Sequence, residues 1–222
     1  MLTENQRVVL GIHVDTVDSR IDSTLLSLSE SVGLRFDVVL LNDCADQPDQ
    51  WSAFHDIPTL NVGTGAGRVA SFNRLISGTE ADIYGFIENG VQFAPDCLAR
   101  LVAALNADPS IGLAGPSSNR CWNEQGVAAH WGQYPFTPAR LAAAASALVP
   151  RFGTRFRTLE PLYALADFCY LAKREMIERI GAADAEYGAG PCWEMDYNIR
   201  AARAGFKGVW VGSALVIRPP CT

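Results

Sequence analysis

Polar side chains stand directly after three apolar runs of the sequence. They are Asp15, Asn42, Asp43, Glu88 and Asn89. Ligands of an open α/β sheet gather beyond the carboxyl ends of its strands, which is where such residues would lie. Carboxylate and amide oxygens there accept hydrogen bonds from a base or a ribose. An acidic residue at the end of a neighbouring strand can hold a divalent cation that bridges phosphates. The pattern therefore predicts a nucleotide site at one edge of a sheet.

Strand-like and helix-like segments alternate along the chain and would position these residues. Short apolar runs predict strands, and apolar residues at helical spacing predict helices. The predicted strands are 8–14, 37–41, 58–62, 82–87, 111–114, 162–172, 208–211 and 214–217, and the predicted helices are about 21–32, 69–76, 95–105, 173–180 and 194–204. Strands separated by helices in this way predict an α/β fold with a mixed, mainly parallel sheet and helices on both faces.

Residues 116–165 interrupt this alternation. They contain five prolines, aromatic clusters and one alanine-rich helix candidate. Such a stretch is either a lid beside a binding site or a surface excursion without a role. Within it, Arg151, Arg155 and Arg157 either cover phosphates or belong to a solvated loop. Because no internal repeat or linker is evident, residues 1–222 are predicted to form a single domain.

The composition excludes several classes of protein. Apolar residues make up 49% of the chain, which argues against disorder, and a net charge of −6 argues against nucleic-acid or anionic-lipid binding. Met1–Arg7 lacks the pattern of a signal peptide, and no apolar run reaches the ~20 residues that a transmembrane helix needs. The six cysteines lack CxxC spacing and are interpreted as reduced thiols, and the three histidines are assigned no metal. A cytoplasmic location is therefore predicted.

Four segments, taken in order, carry more specific information: Val38–Asp46, Asn61–Arg68, Ile83–Gly90 and Trp193–Phe206. Together they resemble the inverting family-two glycosyltransferases, whose GT-A fold is Rossmann-like. The first resembles the strand whose acid reads the nucleotide base, and the second resembles an Asn-x-Gly segment. The third occupies the place of the metal-binding DxD strand, and the fourth resembles the helix that begins with the general base.

The resemblance implies transfer of a sugar, with inversion, from a nucleotide-diphosphate sugar to a hydroxyl of a glycan, a lipid-linked molecule or a protein. It divides the chain into a nucleotide-binding half of about 1–115 and an acceptor-side half of about 116–222. Asn61, Gly63 and Arg68 join the strand-end residues as expected donor ligands. The run 63–67 lacks the acid that would complete a dinucleotide fingerprint, so its glycines either let the backbone approach the nucleotide or form a plain flexible turn.

The sequence departs from the family at the metal site. The DxD triplet is replaced by Glu88-Asn89-Gly90, so the second carboxylate is missing, and Arg218 stands where the family usually has a histidine. Only Glu88 remains as a metal ligand, and Mn²⁺ or Mg²⁺ is the only cofactor that the resemblance implies. An arginine cannot ligate a metal, but it can hold a diphosphate through paired hydrogen bonds.

Two interpretations follow from this departure. Either the enzyme has exchanged its metal for a guanidinium, or the domain has lost catalysis and serves as a binding or scaffolding module. A shifted alignment, with Asp82 or Asp96 as the true ligand, is a third possibility.

Glu194 is the candidate catalytic base, placed by the resemblance at the opening of a helix. The family most often has aspartate there, and an acid in a first helical turn is also favoured by the helix dipole alone. Trp193 is predicted either to stack on a sugar ring or to pack in the core.

Overall fold

The structure is a computed structural model that describes residues 6–44, 56–127, 133–160 and 164–220. Its nine strands are β1 (Val8–Val14), β2 (Asp37–Asn42), β3 (Thr59–Asn61), β4 (Ile83–Glu88), β5 (Gln92–Phe93), β6 (Ile111–Ser118), β7 (Phe156–Leu159), β8 (Cys169–Lys173) and β9 (Lys207–Ile217). The helices are α1 (Arg20–Ser29), α2 (Gly67–Gly78), α3 (Cys97–Leu105), α4 (Pro138–Phe152), α5 (Arg174–Ile180) and α6 (Trp193–Arg203).

One sheet contains all of these strands, in the order β3-β2-β1-β4-β8-β6-β9-β5, with β7 also paired to β9. The first four strands of that order are parallel, and β6 and β9 are parallel to each other. β8 runs antiparallel between β4 and β6, while β5 and β7 run antiparallel to β9. The sheet is therefore mixed and mainly parallel, as the sequence predicts.

Helices cover both faces of the sheet because its strands are apolar on both sides. In β1, Leu10 and Ile12 pack in a core with side chains of α1, α3 and α4, whereas Val9 packs on the opposite face in a core that includes side chains of α2, α5 and α6. Buried strands of this kind appear in the sequence as continuous apolar runs, which is why the sequence reveals them. Within the residues described, no helix is long and apolar enough for a membrane crossing.

Several elements differ from the sequence predictions. β8 begins at Cys169 and not at residue 162, and β6 continues to Ser118, beyond its predicted end at residue 114. β5 and β7 were not predicted, and α1 ends at Ser29 although helical spacing continues to Val32. The two strands predicted at 208–211 and 214–217 are one strand, β9. Gly212 does not break it but makes room for a ring, since a Cβ there would lie 2.5 Å from Cγ of Phe152. The alanine-rich candidate is α4, where Thr137 caps the first turn and Pro138 begins the helix.

Candidate active site

The carboxyl ends of β1, β2 and β4 meet at one edge, as the strand-end residues predict. In the parallel register, Val14 pairs with Asn42, and His13 pairs with both Leu41 and Glu88. This edge therefore collects the polar residues of three separate segments.

Asp43 caps a turn of the protein and does not open toward a ligand, which corrects its prediction as a base-reading residue. Its two carboxylate oxygens accept hydrogen bonds from the backbone N–H groups of Ala66 and Gly67, at 2.7 and 2.9 Å, and the residue is 5% exposed. The glycine-rich turn before α2 points these N–H groups inward, so a buried carboxylate is needed there. Asp43 thus fixes the start of the helix that carries Arg68.

His13 lies beside Asp43 in the same buried layer. Its Nδ1 is 2.8 Å from Oγ of Ser71, and its Nε2 is 3.9 Å from Oδ2 of Asp43. Burial lowers the pKa of His13, and the nearby positive charge of Arg68 lowers it further. Ser71 is fully buried in α2, and His13 and Asp43 are buried as well.

The remaining nucleotide-side candidates differ in exposure. Asp15, Asn61 and Gly63 are exposed at the sheet edge, where a ligand can reach them. Asn42 is buried, and its Oδ1 accepts the backbone N–H of Cys44. This hydrogen bond fixes the backbone directly after β2.

Four charged side chains form a continuous set of ion pairs across this edge, here called the ion network: Asp167, Arg68, Glu88 and Arg218. Arg68 donates from Nη1 to Asp167 and from Nη2 to Oε1 of Glu88, both at 2.9 Å. Arg218 binds the other oxygen of Glu88 through Nε and Nη2, at 2.8 and 2.7 Å. The sequence predicts Arg68, Glu88 and Arg218 in the site, and the structure brings them together.

Arg218 is held from several sides. Its Nη1 donates to the carbonyl oxygen of Arg120, and its guanidinium lies 4.9 Å from the ring centre of Phe168. Asn119 accepts the backbone N–H of Arg218 and donates to its carbonyl oxygen. Within the residues described, these contacts use three of the five guanidinium N–H donors, which leaves two for a ligand.

The two arginines favour the ionised form of Glu88. Burial alone would raise its pKa, but the charges and hydrogen bonds of Arg68 and Arg218 more than offset burial, and the pKa is lowered. Each of its oxygens already binds a guanidinium. A cation at Glu88 would have to compete with these two positive groups.

The position of the missing second carboxylate is closed. Gly90 has a φ of +89°, and a Cβ there would lie 2.9 Å from Cγ of Pro219 and 3.3 Å from the hydroxyl of Tyr134. The Tyr134 hydroxyl also donates to the Gly90 carbonyl at 2.8 Å. Asn89 points into the protein, where its Nδ2 donates to the carbonyl of Thr16.

The residues present therefore do not fit a divalent cation of the DxD type. Arginine replaces one expected ligand, packing closes the position of a second, and two guanidinium groups hold the third, Glu88. No cluster of three metal-ligating side chains occurs in the part of the chain that the structure describes. Asp82 and Asp96, the alternatives of a shifted alignment, bind the Arg7 backbone N–H and the Arg100 side chain.

Glu194 lies in the first turn of α6 and is 7% exposed. Burial raises the pKa of its carboxyl, and the negative charge of Asp167 raises it further, against a smaller opposing effect of Arg68. Cys192, just before the helix, has a left-handed backbone with φ of 72° that turns the chain into α6. A buried carboxyl of raised pKa is suited to accept a proton.

Trp193 is a core residue, so the prediction that it stacks on a sugar is wrong. It is 1% exposed, and its ring lies 5.2 Å from Phe72 and 5.9 Å from both Phe86 and Tyr170. Its faces are occupied because α6 packs its first residue into the aromatic core. Tyr187, which the sequence places nearby, remains partly exposed.

Asp167 belongs to the site although the sequence patterns did not indicate it. It accepts from Arg68 with one oxygen and from the indole Nε1 of Trp193 with the other, at 2.9 and 3.0 Å. A signal existed, because Asp167 is the only charged residue in the apolar run Leu162–Ala172. Charged residues enter such runs mainly when they are paired.

The other sequence candidates lie outside the ion network or outside the described residues. Arg151 and Arg155 are exposed near the end of α4, and Arg157 is exposed on β7, 3.7 Å from Glu124. His55, His130 and Cys221 lie outside the residues that the structure describes.

No protein-family model matches the chain, and no curated protein matches it in sequence. Solved structures do match. A mannosyltransferase, PcManGT from Pyrobaculum calidifontis in complex with GDP-Man and Mn²⁺, aligns with 97% of this chain at a TM-score of 0.64 and 18% identity. GalNAc-T7 with UDP, GalNAc and Mn²⁺ aligns with 98% at 0.71 and 15%. Residues 1–349 of TarS from S. aureus align with 96% at 0.66 and 12%.

These matches establish the fold. The chain has the GT-A fold of glycosyltransferases, which confirms the fold class that the sequence predicts. It spans 57%, 45% and 60% of the three matched chains, so it corresponds to about half of their length.

Proposed function

We propose that the protein is a glycosyltransferase that moves a sugar from a nucleotide-diphosphate sugar to an acceptor hydroxyl with inversion, and that residues 1–222 form one such domain. The observation that supports this most is the ion network, which holds two guanidinium groups at the strand ends of a GT-A sheet. The buried carboxyl of Glu194, in the first turn of α6, is close enough for Asp167 and Arg68 to shift its pKa. The matched mannosyltransferase and GalNAc-T7 carry GDP-Man and UDP respectively, which favours a nucleotide-linked donor here.

The proposed reaction assigns one role to Glu194 and another to the arginines of the ion network. Glu194 removes the proton of the acceptor hydroxyl as its oxygen bonds to the anomeric carbon. The bond between that carbon and the diphosphate oxygen breaks on the opposite face, and its electron pair stays with the diphosphate. The remaining N–H donors of Arg218 and Arg68 stabilise the charge that develops there. Asp15, Asn61 and the Gly63 backbone are the exposed groups at the edge for the nucleoside.

We propose that the guanidinium groups take the place of the metal ion. Manganese accompanies both matched enzymes, but here Glu88 is already neutralised by two arginines and Gly90 has no room for a carboxylate. The cytoplasmic location and the absence of nucleic-acid partners stay predictions from composition.

Calorimetry against UDP-, GDP- and dTDP-linked sugars, with EDTA or with manganese, tests the proposal directly. We expect at least one donor to bind equally well in both conditions. A CMP-linked sugar, which has a single phosphate, is the control and should bind more weakly. Failure of every diphosphate donor to bind would contradict the proposal. Binding without transfer to any acceptor and without hydrolysis would favour the alternative, a non-catalytic sugar-nucleotide-binding or scaffolding module.

A further inference from the structure

Asp167 connects three elements that are distant in sequence. It precedes β8, it binds Arg68 of α2 through Oδ1, and it binds the Trp193 indole of α6 through Oδ2. Each oxygen therefore fixes a different side of the site. A charge in this position is otherwise unfavourable, since it interrupts an apolar run that enters the centre of the sheet.

The bond to Trp193 bears directly on Glu194, the next residue of the same helical turn. The indole ring is already fixed by contacts with Phe72, Phe86 and Tyr170, so its N–H can point only one way. Asp167 receives that N–H. The rotation of the first turn of α6 is thereby tied to Arg68 and, through Arg68, to Glu88.

We infer that Asp167 is the positioning residue of this site: it joins Arg68 to the first turn of α6 and so sets where the carboxylate of Glu194 stands relative to the guanidinium groups. The inference rests on the proposed function and assigns to Asp167 no contact with a substrate.

The same geometry gives Asp167 an electrostatic effect that can be measured. Glu194 is buried and lies within the electrostatic influence of the negative charge of Asp167 and the positive charge of Arg68. The hydroxyls of Tyr170 and Tyr187 also interact with it electrostatically. Burial and Asp167 raise the pKa of Glu194, and Arg68 lowers it. Removing the charge of Asp167 also releases Arg68 from its pair. Both changes act in the same direction, so the pKa of Glu194 should fall.

The variant Asp167→Asn removes the charge and keeps the size of the side chain. We expect the acidic limb of the profile of kcat against pH to move to lower pH. We also expect kcat to fall by about tenfold to a hundredfold, which is the effect of a misplaced reactive group. The matched control is Asp196→Asn, which removes a charge from α6 that pairs with Arg200 instead. Its acidic limb should stay where the wild-type limb is.

A second variant separates position from charge. Trp193→Phe removes the N–H donor but leaves Asp167 ionised and an aromatic ring in the core. We expect a lower kcat, an unchanged KM for the donor and an unmoved acidic limb. If Asp167→Asn does not fold, this variant still decides, because a wild-type kcat in Trp193→Phe would overturn the inference.

Carbon-13 NMR of labelled glutamate carboxyls gives a readout that does not need turnover. The midpoint of Glu194, assigned with Glu194→Gln, should move to lower pH in Asp167→Asn and not in Asp196→Asn. An unmoved midpoint in a folded Asp167→Asn protein would overturn the inference. If the midpoint moves in Asp167→Asn but the wild-type protein transfers no sugar, the link between Asp167 and Glu194 is supported and the proposed function is rejected.

Discussion

Glu88 and Glu194 are the same type of residue and are both influenced by the charge of Arg68, but their surroundings give them opposite properties. Glu88 has two guanidinium partners within 2.9 Å, and its pKa is lowered. Glu194 is also buried, but its largest electrostatic influence besides burial is the negative charge of Asp167, and its pKa is raised. The pair follows a general rule, since environments that push two carboxyl groups apart in pKa give them different tasks. Here one organises cations and the other can accept a proton.

The comparison is tested most strongly at Glu194. Glu194→Gln keeps the size of the side chain but removes the proton acceptor, so turnover should fall by about 10²–10⁴-fold while donor affinity changes little. Turnover by initial rates and affinity by calorimetry should be measured on the same protein. Glu178→Gln, an exposed substitution on α5, is the control and should change neither. Retained turnover in Glu194→Gln would reject it as the base.

The cation end is tested at Arg218. Arg218→Ala should weaken donor binding by about 1.5–3 kcal/mol, the scale of hydrogen bonds to charged groups, and chelation by EDTA should weaken it less. Arg174→Ala, at a half-buried arginine of α5 outside the ion network, is the control. The double variant Arg218→Ala with Glu88→Gln separates a lost contact from the repulsion of an exposed Glu88. Essential manganese together with a silent Arg218→Ala would refute the guanidinium proposal.

The closed position at Gly90 provides the next test. Gly90→Asp restores the second carboxylate of a DxD motif, but we expect it to lower the free energy of unfolding and not to create a manganese site. Gly205→Asp is the matched control, because Gly205 has the same φ of +89° but no atom within 4 Å of the point that a Cβ would occupy. Backbone strain is common to both, at about 1–3 kcal/mol, and crowding adds about 1–3 kcal/mol at Gly90 only. If the two variants unfold at the same urea concentration and Gly90→Asp binds manganese, the position at Gly90 is not closed.

The smallest expected effects are in the pH dependence of stability, and their signs differ. The pKa of Glu88 is below its ordinary value of 4.5, so its contribution is present above about pH 4.5 and is lost as pH falls through the lowered pKa. The pKa of Glu194 is above 4.5, so its contribution is present at low pH and is lost as pH rises through the raised pKa.

Urea unfolding of Glu88→Gln and Glu194→Gln from about pH 3 to about pH 8 measures how each glutamate changes the free energy of unfolding with pH. Glu88→Gln should be less stable than wild type at neutral pH, and the deficit should shrink in acid. Glu194→Gln should be more stable than wild type at neutral pH, and the gain should vanish in acid. The same sign for both variants would break the comparison.

Much of the fold was predictable because it depends on local patterns. β1, β2 and β4 are buried apolar runs that end in polar residues, and Gly181 ends α5 where the sequence predicts. β5 and β7 have two and four residues, too few to show a period. Gly212 resembles a break in the sequence because the Phe152 ring that requires it lies 60 positions away in the chain.

Three members of the ion network were predictable from the sequence, but Asp167 and the connections between the members were not. The sequence identifies Arg68, Glu88 and Arg218, yet the pairing of Glu88 with a residue 130 positions away depends on tertiary structure. Asp43 was assigned to the nucleotide because a strand-end acid looks the same whether it faces a ligand or caps a turn. Trp193 shows the same limit, since only packing decides between a buried ring and a stacking surface.

The ion network also bears on how a donor reaches the site. Asp167, Arg68, Glu88 and Arg218 alternate in sign, so their formal charges sum to zero, and they belong to a chain of net charge −6. A dianionic diphosphate therefore meets no net attraction from the network and is repelled by the net negative charge of the chain. Salt screens that repulsion over a Debye length of about 10 Å at 0.1 M. Unlike anion binding to a basic patch, donor association should become faster, not slower, as ionic strength rises.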